Sequence, residues 1–416
     1  MTFIRRNVED ELRDVLSVSR AGAILGPRQS GKSTLALRLQ GAGVVPSYYT
    51  LDDEALRSAA QDDPDGFVAG LVRPAVIDEV QRAPGVLLAI KQVLDANPGV
   101  PGQFLLTGSA NLLAAKQVAD ALPGRIEYVD LWPFSQGELT GRRETFLDGM
   151  LAGQVPSVTG AEKGRGAYAA AILAGGFPEA RERSEHQRAR FFDSYVRGVL
   201  GRDLPELAGA RIDPARVATL LRLLAARTGG AVSFAGLGSE LGIDEKTAKA
   251  YVEFLAQLFL VLQLPPWSTN LGARQVKTPK ILLTDSGLAA ALIGVDAARY
   301  TAVDQGEVAG KLLETFAVME LVKQRTWATA RTQLFFYRDQ RQREVDVVIE
   351  SAAGDIAAVE VKSGATVREE DTRGLRFLRD KLGDRFKAGV VLCSGAQTVR
   401  LSARIWAVPL SGLWAE

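Results

Sequence analysis

Gly26-Pro27-Arg28-Gln29-Ser30-Gly31-Lys32-Ser33-Thr34 is the stretch whose reading decides the fold. It fits G-x-x-x-x-G-K-[ST], with Gly26, Gly31, Lys32 and Ser33 at the fixed places. Ahead of it, Ala21 to Leu25 reads as a short apolar strand. Behind it, Leu35, Leu37 and Leu39 lie in an Ala/Leu/Arg run with good helix propensity. Strand, glycine-containing loop and helix are the setting in which this pattern makes a phosphate site. Glycines let the loop wrap an anion with backbone N–H groups, and the following helix points its positive end at the same anion. Every residue from Gly26 to Thr34 is therefore a candidate nucleotide contact. Lys32 would neutralise the β- and γ-phosphates, and the Ser33 hydroxyl would bind Mg2+. The plain alternative, a glycine turn before a core helix, leaves the flanking pattern without a reason. ATP and Mg2+ are the expected cofactors.

At 416 residues the chain is too long for one ordinary core, so about two to three domains are expected. Hydrophobic residues at 47% and charged residues at 24% match a soluble globular protein. Fifty Lys and Arg against 49 Asp and Glu give a net charge of +1. There is no global basic bias, so any contact with DNA or RNA must rest on local patches. The single cysteine, Cys393, excludes an internal disulfide and a Cys-based zinc site; within Gly389-Val-Val-Leu-Cys393 it reads as a buried small hydrophobe. The single histidine, His186, sits in a charged run that reads as a solvated helix face. Chemistry that needs several histidines is excluded. The charged N-terminus lacks the apolar core of a signal peptide. Phe254 to Trp267, interrupted by Gln257 and Gln263 and ended by Pro265-Pro266, is too short to span a bilayer. A cytoplasmic protein with no membrane partner is expected.

Residues 1–150 alternate strand and helix. Tyr48 to Leu51 reads as a second strand, closed by Asp52-Asp53-Glu54, which reads as a solvated strand end. Pro74-Ala-Val-Ile-Asp-Glu79 is a third, Gln103 to Ser109 a fourth and Ile126 to Leu131 a fifth; Val86 to Leu94 carries apolar residues at helical spacing. Repeated strand–helix units predict a parallel sheet covered on both faces, with ligands at the strand C-terminal ends. There Asp78 would stand beside the Mg2+ shell, and Glu79 would activate a water aimed at the γ-phosphate. Thr107 or Ser109, ending the next strand, would bond that water or the γ-phosphate.

The loop, Asp78-Glu79, Leu106-Thr-Gly-Ser109 and Leu122-Pro-Gly-Arg125 together resemble the AAA-type ATPases of the archaeal kind found widely in prokaryotes. The resemblance implies a homo-oligomer in which an arginine completes a neighbouring subunit's site. Arg125 is the candidate, with a surface salt bridge as the alternative.

Residues 151–270 are expected to form a helical lid and a winged-helix module. Glycine-rich residues 151–166 read as a loop or linker. Gly175-Gly-Phe-Pro-Glu179 matches the same family at the start of the lid, and six arginines from Arg181 to Arg202 lie among acids on a mixed-charge helix. Phe234 to Leu241, a turn at Gly242-Ile-Asp244, and Glu245 to Leu260 form a helix-turn-helix pattern capped by Asp244. Lys246 and Lys249 stand at its exposed start beside Asp244, Glu245 and Glu253. That acidity favours a structural or protein-contact role over DNA reading.

Residues 271–416 read as a separate α/β unit. Glu307 to Gln324 is a helix bearing Glu314, and Arg343 to Glu350 and Ile356 to Ser363 are strands bearing Asp346, Glu360 and Lys362. An acid on one strand and Glu-x-Lys on the next would chelate a divalent metal through Asp346 and Glu360. Lys362 would orient the water or steady developing phosphate charge, and Glu314 would complete the shell. An internal ion pair is the alternative. The set resembles the PD-(D/E)xK nuclease fold and the C-terminal domain of uncharacterised function that accompanies this ATPase type. The expected fold class is thus α/β: a P-loop AAA-type parallel sheet with helical lid and winged-helix module, then a C-terminal α/β nuclease-like domain. The leading expectation is an ATPase whose nucleotide state controls that domain. Its rivals are a nuclease whose assembly ATP licenses, and a slow or non-hydrolytic switch whose nuclease-like domain is inactive.

Overall fold

The computed structural model describes residues 3–108, 122–208, 212–268, 278–341 and 343–415. The chain divides into two compact units, neither continuous in sequence: Met1–Pro133 with Gly198–Ile212 and Gln257–Phe259, and Phe134–Arg197 with Asp213–Ala256 and Leu260–Glu416.

Among the described residues the first unit is built on five parallel strands: β1 (Ala21–Leu25), β2 (Ser47–Thr50), β3 (Ala75–Asp78), β4 (Phe104–Gly108) and β5 (Ile126–Asp130). They pair in the order β2-β3-β4-β1-β5. β1, β3 and β4 are buried along their whole length, whereas β2 and β5, at the edges, are partly exposed. Burial on both faces is why the central strands read as unbroken apolar runs. Leu25, Ile77 and Leu106 pack with Val86, Leu87, Ile90 and Leu94 of the helix Val86–Ala96. Because β4 lies between β1 and β3, with Ile24 opposite Thr107 and Ile77 opposite Leu106, three strand ends converge beside one another. Asp52-Asp53-Glu54 is more than a solvated strand end. Asp53 accepts the Leu56 N–H at 2.9 Å and so caps the helix Glu54–Asp62, while Asp52 pairs with Arg82 at 2.6 Å.

The second unit carries β6 (Gly230–Ala231), β7 (Val261–Leu264) and β8 (Lys280–Leu283) in a three-stranded antiparallel sheet. Helices Phe234–Leu241 and Glu245–Gln257 flank a turn in which Gly242 takes φ +65°, and Asp244 accepts the Thr247 N–H at 2.9 Å. A larger mixed sheet holds β9 (Thr332–Arg338), β10 (Glu344–Ser351), β11 (Ile356–Val361), β12 (Phe386–Cys393), β13 (Val399–Ser402) and β14 (Ile405–Pro409). Their order is β13-β14-β12-β11-β10-β9. The helix Gly306–Gln324 is buried along most of its length.

Gly175-Gly-Phe-Pro-Glu179 is a packing element in this unit. Buried Asp285 accepts the N–H of Gly176 at 2.7 Å and of Leu288 at 2.9 Å. Gly175 has φ +66°, and a Cβ there would collide with that carboxylate. Residues 151–166 are no free linker: the Ala161 and Gly164 N–H groups bond the carbonyls of Ala396 and Ser394 at 2.9 and 3.0 Å. His186 is exposed and Cys393 buried. Among the described residues no helix is long and apolar enough to cross a membrane.

Candidate functional site

The loop after β1 is shaped to hold an anion. Gly26 has φ +155°, and a Cβ there would collide with the Leu131 carbonyl oxygen; Gly31 has φ +99°. Both positions need glycine. Among the described residues no side chain caps the N-terminus of the helix Lys32–Gly41, so its first-turn N–H groups face the loop. Arg6 braces the loop from outside by donating to the Ser30 carbonyl at 2.8 Å and to the Trp132 carbonyl. Among the described residues Ser30 Oγ is buried without a hydrogen-bond partner. Lys32 is buried and donates to the carbonyls of Gly26 at 3.0 Å and Pro27 at 2.8 Å. Burial pushes its pKa down to about 8; Glu79 opposes this, Arg28 adds to it, and Asp78 and Asp203 oppose it. An ammonium so placed gains most from a polyanion.

Asp78 is the hub of the opposite wall. Ser33 Oγ lies 3.0 Å from each of its carboxylate oxygens, Tyr48 donates to it at 2.7 Å, and Thr107 Oγ1 donates as well. Burial and the bond to Asp78 push the Tyr48 pKa up. Thr107 in turn accepts the Glu79 N–H at 3.1 Å. Glu79 sits at φ +57°, left-handed for a residue with a Cβ, and accepts from Gln81 Nε2. Such strain is held where the surroundings over-determine it. A hydroxyl and a carboxylate meeting beside the lysine are the hard oxygen donors that suit Mg2+. The residues present fit both a nucleotide phosphate and that ion.

Arg125 stands elsewhere. It directly precedes Ile126, which pairs with Ala21 at the start of β1, whereas the loop follows Leu25 at the other end. Its guanidinium forks onto Asp95 at 2.6 and 2.9 Å. One chain does not bring Arg125 to the loop. Ser109 lies outside the described residues.

In the second unit, two of the acids expected to chelate a metal, Glu314 and Asp346, stand with Glu344 around an ammonium. Lys280 Nζ, with its side chain 3% exposed, lies 2.8 Å from Glu314, 2.7 Å from Glu344 and 3.0 Å from Asp346. The other Asp346 oxygen accepts the Val361 N–H at 2.9 Å, and Lys362 pairs with Glu360 at 2.8 Å. Among the described residues no group of three or more His, Cys, Asp or Glu is arranged to hold a metal ion. Asp346 and Glu314 thus share the ammonium of Lys280, and Glu360 faces Lys362. Burial opposes the charge on Lys280, but Asp346, Glu314 and Glu344 together hold its pKa above the ordinary value. Burial, then Asp346, pushes Glu314 up to about 8 and Glu360 well above its usual range.

Fold and loop geometry together give the first unit the form of a P-loop, ATPase-like domain, and residues 18–140 match the family described as AAA domain. Residues 165–299 match Domain of unknown function (DUF8612), and residues 309–413 match Domain of unknown function (DUF4143). The chain belongs to the family of two mycobacterial proteins, uncharacterized protein Mb2031c of Mycobacterium bovis and uncharacterized protein Rv2008c of Mycobacterium tuberculosis. Each is 30% identical over 369 residues, spanning 88% of this chain and 75% of the relative. Among solved structures, the Walker-type ATPase PABY2304 of Pyrococcus abyssi is 16% identical, with a TM-score of 0.42 over 70% of this chain and 96% of its own. RuvB T158V of Thermotoga maritima is 18% identical, with a TM-score of 0.30 over 62% of this chain and 89% of its own.

Three residues escaped the sequence reading. Tyr48 reads only as a strand residue, and Lys280 and Asp203 carry no assigned role in the sequence. For Lys280, a lone cation opening the apolar run Lys280-Ile-Leu-Leu was the available signal.

Proposed function

We propose that this protein binds ATP with Mg2+ at the loop Gly26–Thr34 and hydrolyses it. The observation that carries the reading is the contact of Ser33 with Asp78 beside buried Lys32. The loop's N–H groups would take the β-phosphate, and Lys32 would leave the Gly26 and Pro27 carbonyls for the phosphates. Ser33 and Asp78 would hold Mg2+, which when bound neutralises phosphate charge. Glu79 would take a proton from the attacking water, and Thr107 fixes the peptide that aims it. The test is equilibrium binding of ATP with Mg2+ to wild type and Lys32→Ala. Binding lost in the variant supports the reading; equal affinity contradicts it.

For the second unit, the paired state of Lys280 and Lys362 favours a binding or structural role, with the nuclease-like set not acting as a metal-dependent nuclease. Nucleotide state would then govern what this unit binds. Homo-oligomerisation belongs to the same reading, since Arg125 could serve a loop only in a neighbouring copy. The helices around Gly242, with three-stranded β6-β8-β7 beside them in sequence, support a winged-helix module whose acidic start favours a protein partner over DNA.

A further inference from the structure

The inference rests on the nucleotide reading above and concerns a residue far from the motif. Arg28, third in the loop, forks through Nε and Nη2 onto both oxygens of Asp203, the Nη2 contact being 2.7 Å. The two are 175 residues apart. Asp203 is 3% exposed and Arg28 29%, so the carboxylate is the fixed partner and the guanidinium the more open one. Asp203 ends Val199–Asp203, a π-helical turn, a winding that is rare and concentrated at functional sites. Both charges act on the Lys32 ammonium.

A buried carboxylate beside a site for a polyanion is costly unless it is neutralised, and Arg28 supplies the neutralising charge. A nucleotide phosphate offers the same planar fork a second, more highly charged partner. We propose that Asp203 is a positioning residue that holds Arg28 in reserve, and that nucleotide phosphate competes with it for the guanidinium. Nucleotide binding is thereby transmitted to the Val199–Asp203 turn.

The sign of one measurement separates this role from a brace. Asp203→Asn releases Arg28, so affinity for a non-hydrolysable ATP analogue with Mg2+ rises, by roughly tenfold. Arg28→Gln lowers affinity, and hydrogen exchange at residues 199–205, which quickens when the analogue binds wild type, no longer responds in this variant. Weaker binding in Asp203→Asn overturns the proposal, as does an exchange response that persists in Arg28→Gln. If Asp203→Asn does not fold, the Arg28→Gln arm decides alone. Absence of analogue binding in wild type sinks the nucleotide reading itself, which Lys32→Ala marks as a separate failure.

Discussion

Ser33 Oγ and Asp78, 45 residues apart, meet at 3.0 Å to both carboxylate oxygens. The contact exists because β4 separates β1 from β3 while their C-terminal ends stay level, so a loop residue and a strand-end acid face the same space. Mg2+ should strengthen ATP binding to wild type, and Asp78→Asn should lose that gain by about tenfold or more, because a neutral amide replaces a charged oxygen ligand. Titration calorimetry with and without Mg2+ reads it. A Mg2+ gain that survives the substitution would place the ion elsewhere.

Glu144 gives the stability a pH dependence of definite sign. It is buried, accepts the Gly137 N–H at 2.7 Å, and is pushed up to about 7, first by burial and with Glu320 adding a like charge. Between its unfolded value near 4.5 and about 7, the folded protein binds more protons than the unfolded chain, so stability falls as pH rises through this window. Above it, the cost of the buried charge is fully present, on the order of 3 kcal/mol at most. Glu144→Gln should therefore raise the melting temperature at pH 8 and change it little at pH 5. Equal shifts at both values would remove the titration from the account.

Lys280 should behave as a structural counter-ion. Lys280→Met leaves Glu314, Glu344 and Asp346 facing one another and should cost about 3–5 kcal/mol at neutral pH. Part of this should return at pH 5, where carboxyls raised by burial take up protons. Denaturant unfolding at the two pH values measures it. Mn2+ added without nucleotide should leave the wild-type melting temperature unchanged. A rise that Asp346→Asn abolishes would restore the metal reading.

The legible parts of the sequence were those whose determinants are contiguous. The loop needs its glycines, lysine and serine within one turn, and the central strands are short apolar runs because both faces are covered. What escaped depends on partners far along the chain. Arg28 gives no sign of Asp203, and Asp346 gives none of Lys280, which reaches it from another strand. Residues 151–166 resemble a linker by composition, yet their backbone groups are spoken for by Ser394 and Ala396. Arg125 illustrates the opposite limit: among the described residues its guanidinium is taken by the local ion pair with Asp95.

Hydrolysis at this loop would rest on Glu79 as the base. The most direct test is single-turnover cleavage of ATP by wild type and Glu79→Gln, each saturated with Mg2+ and nucleotide. Both should bind alike, and cleavage in Glu79→Gln should be about 10²–10⁴-fold slower. Equal cleavage rates in the two proteins would contradict it.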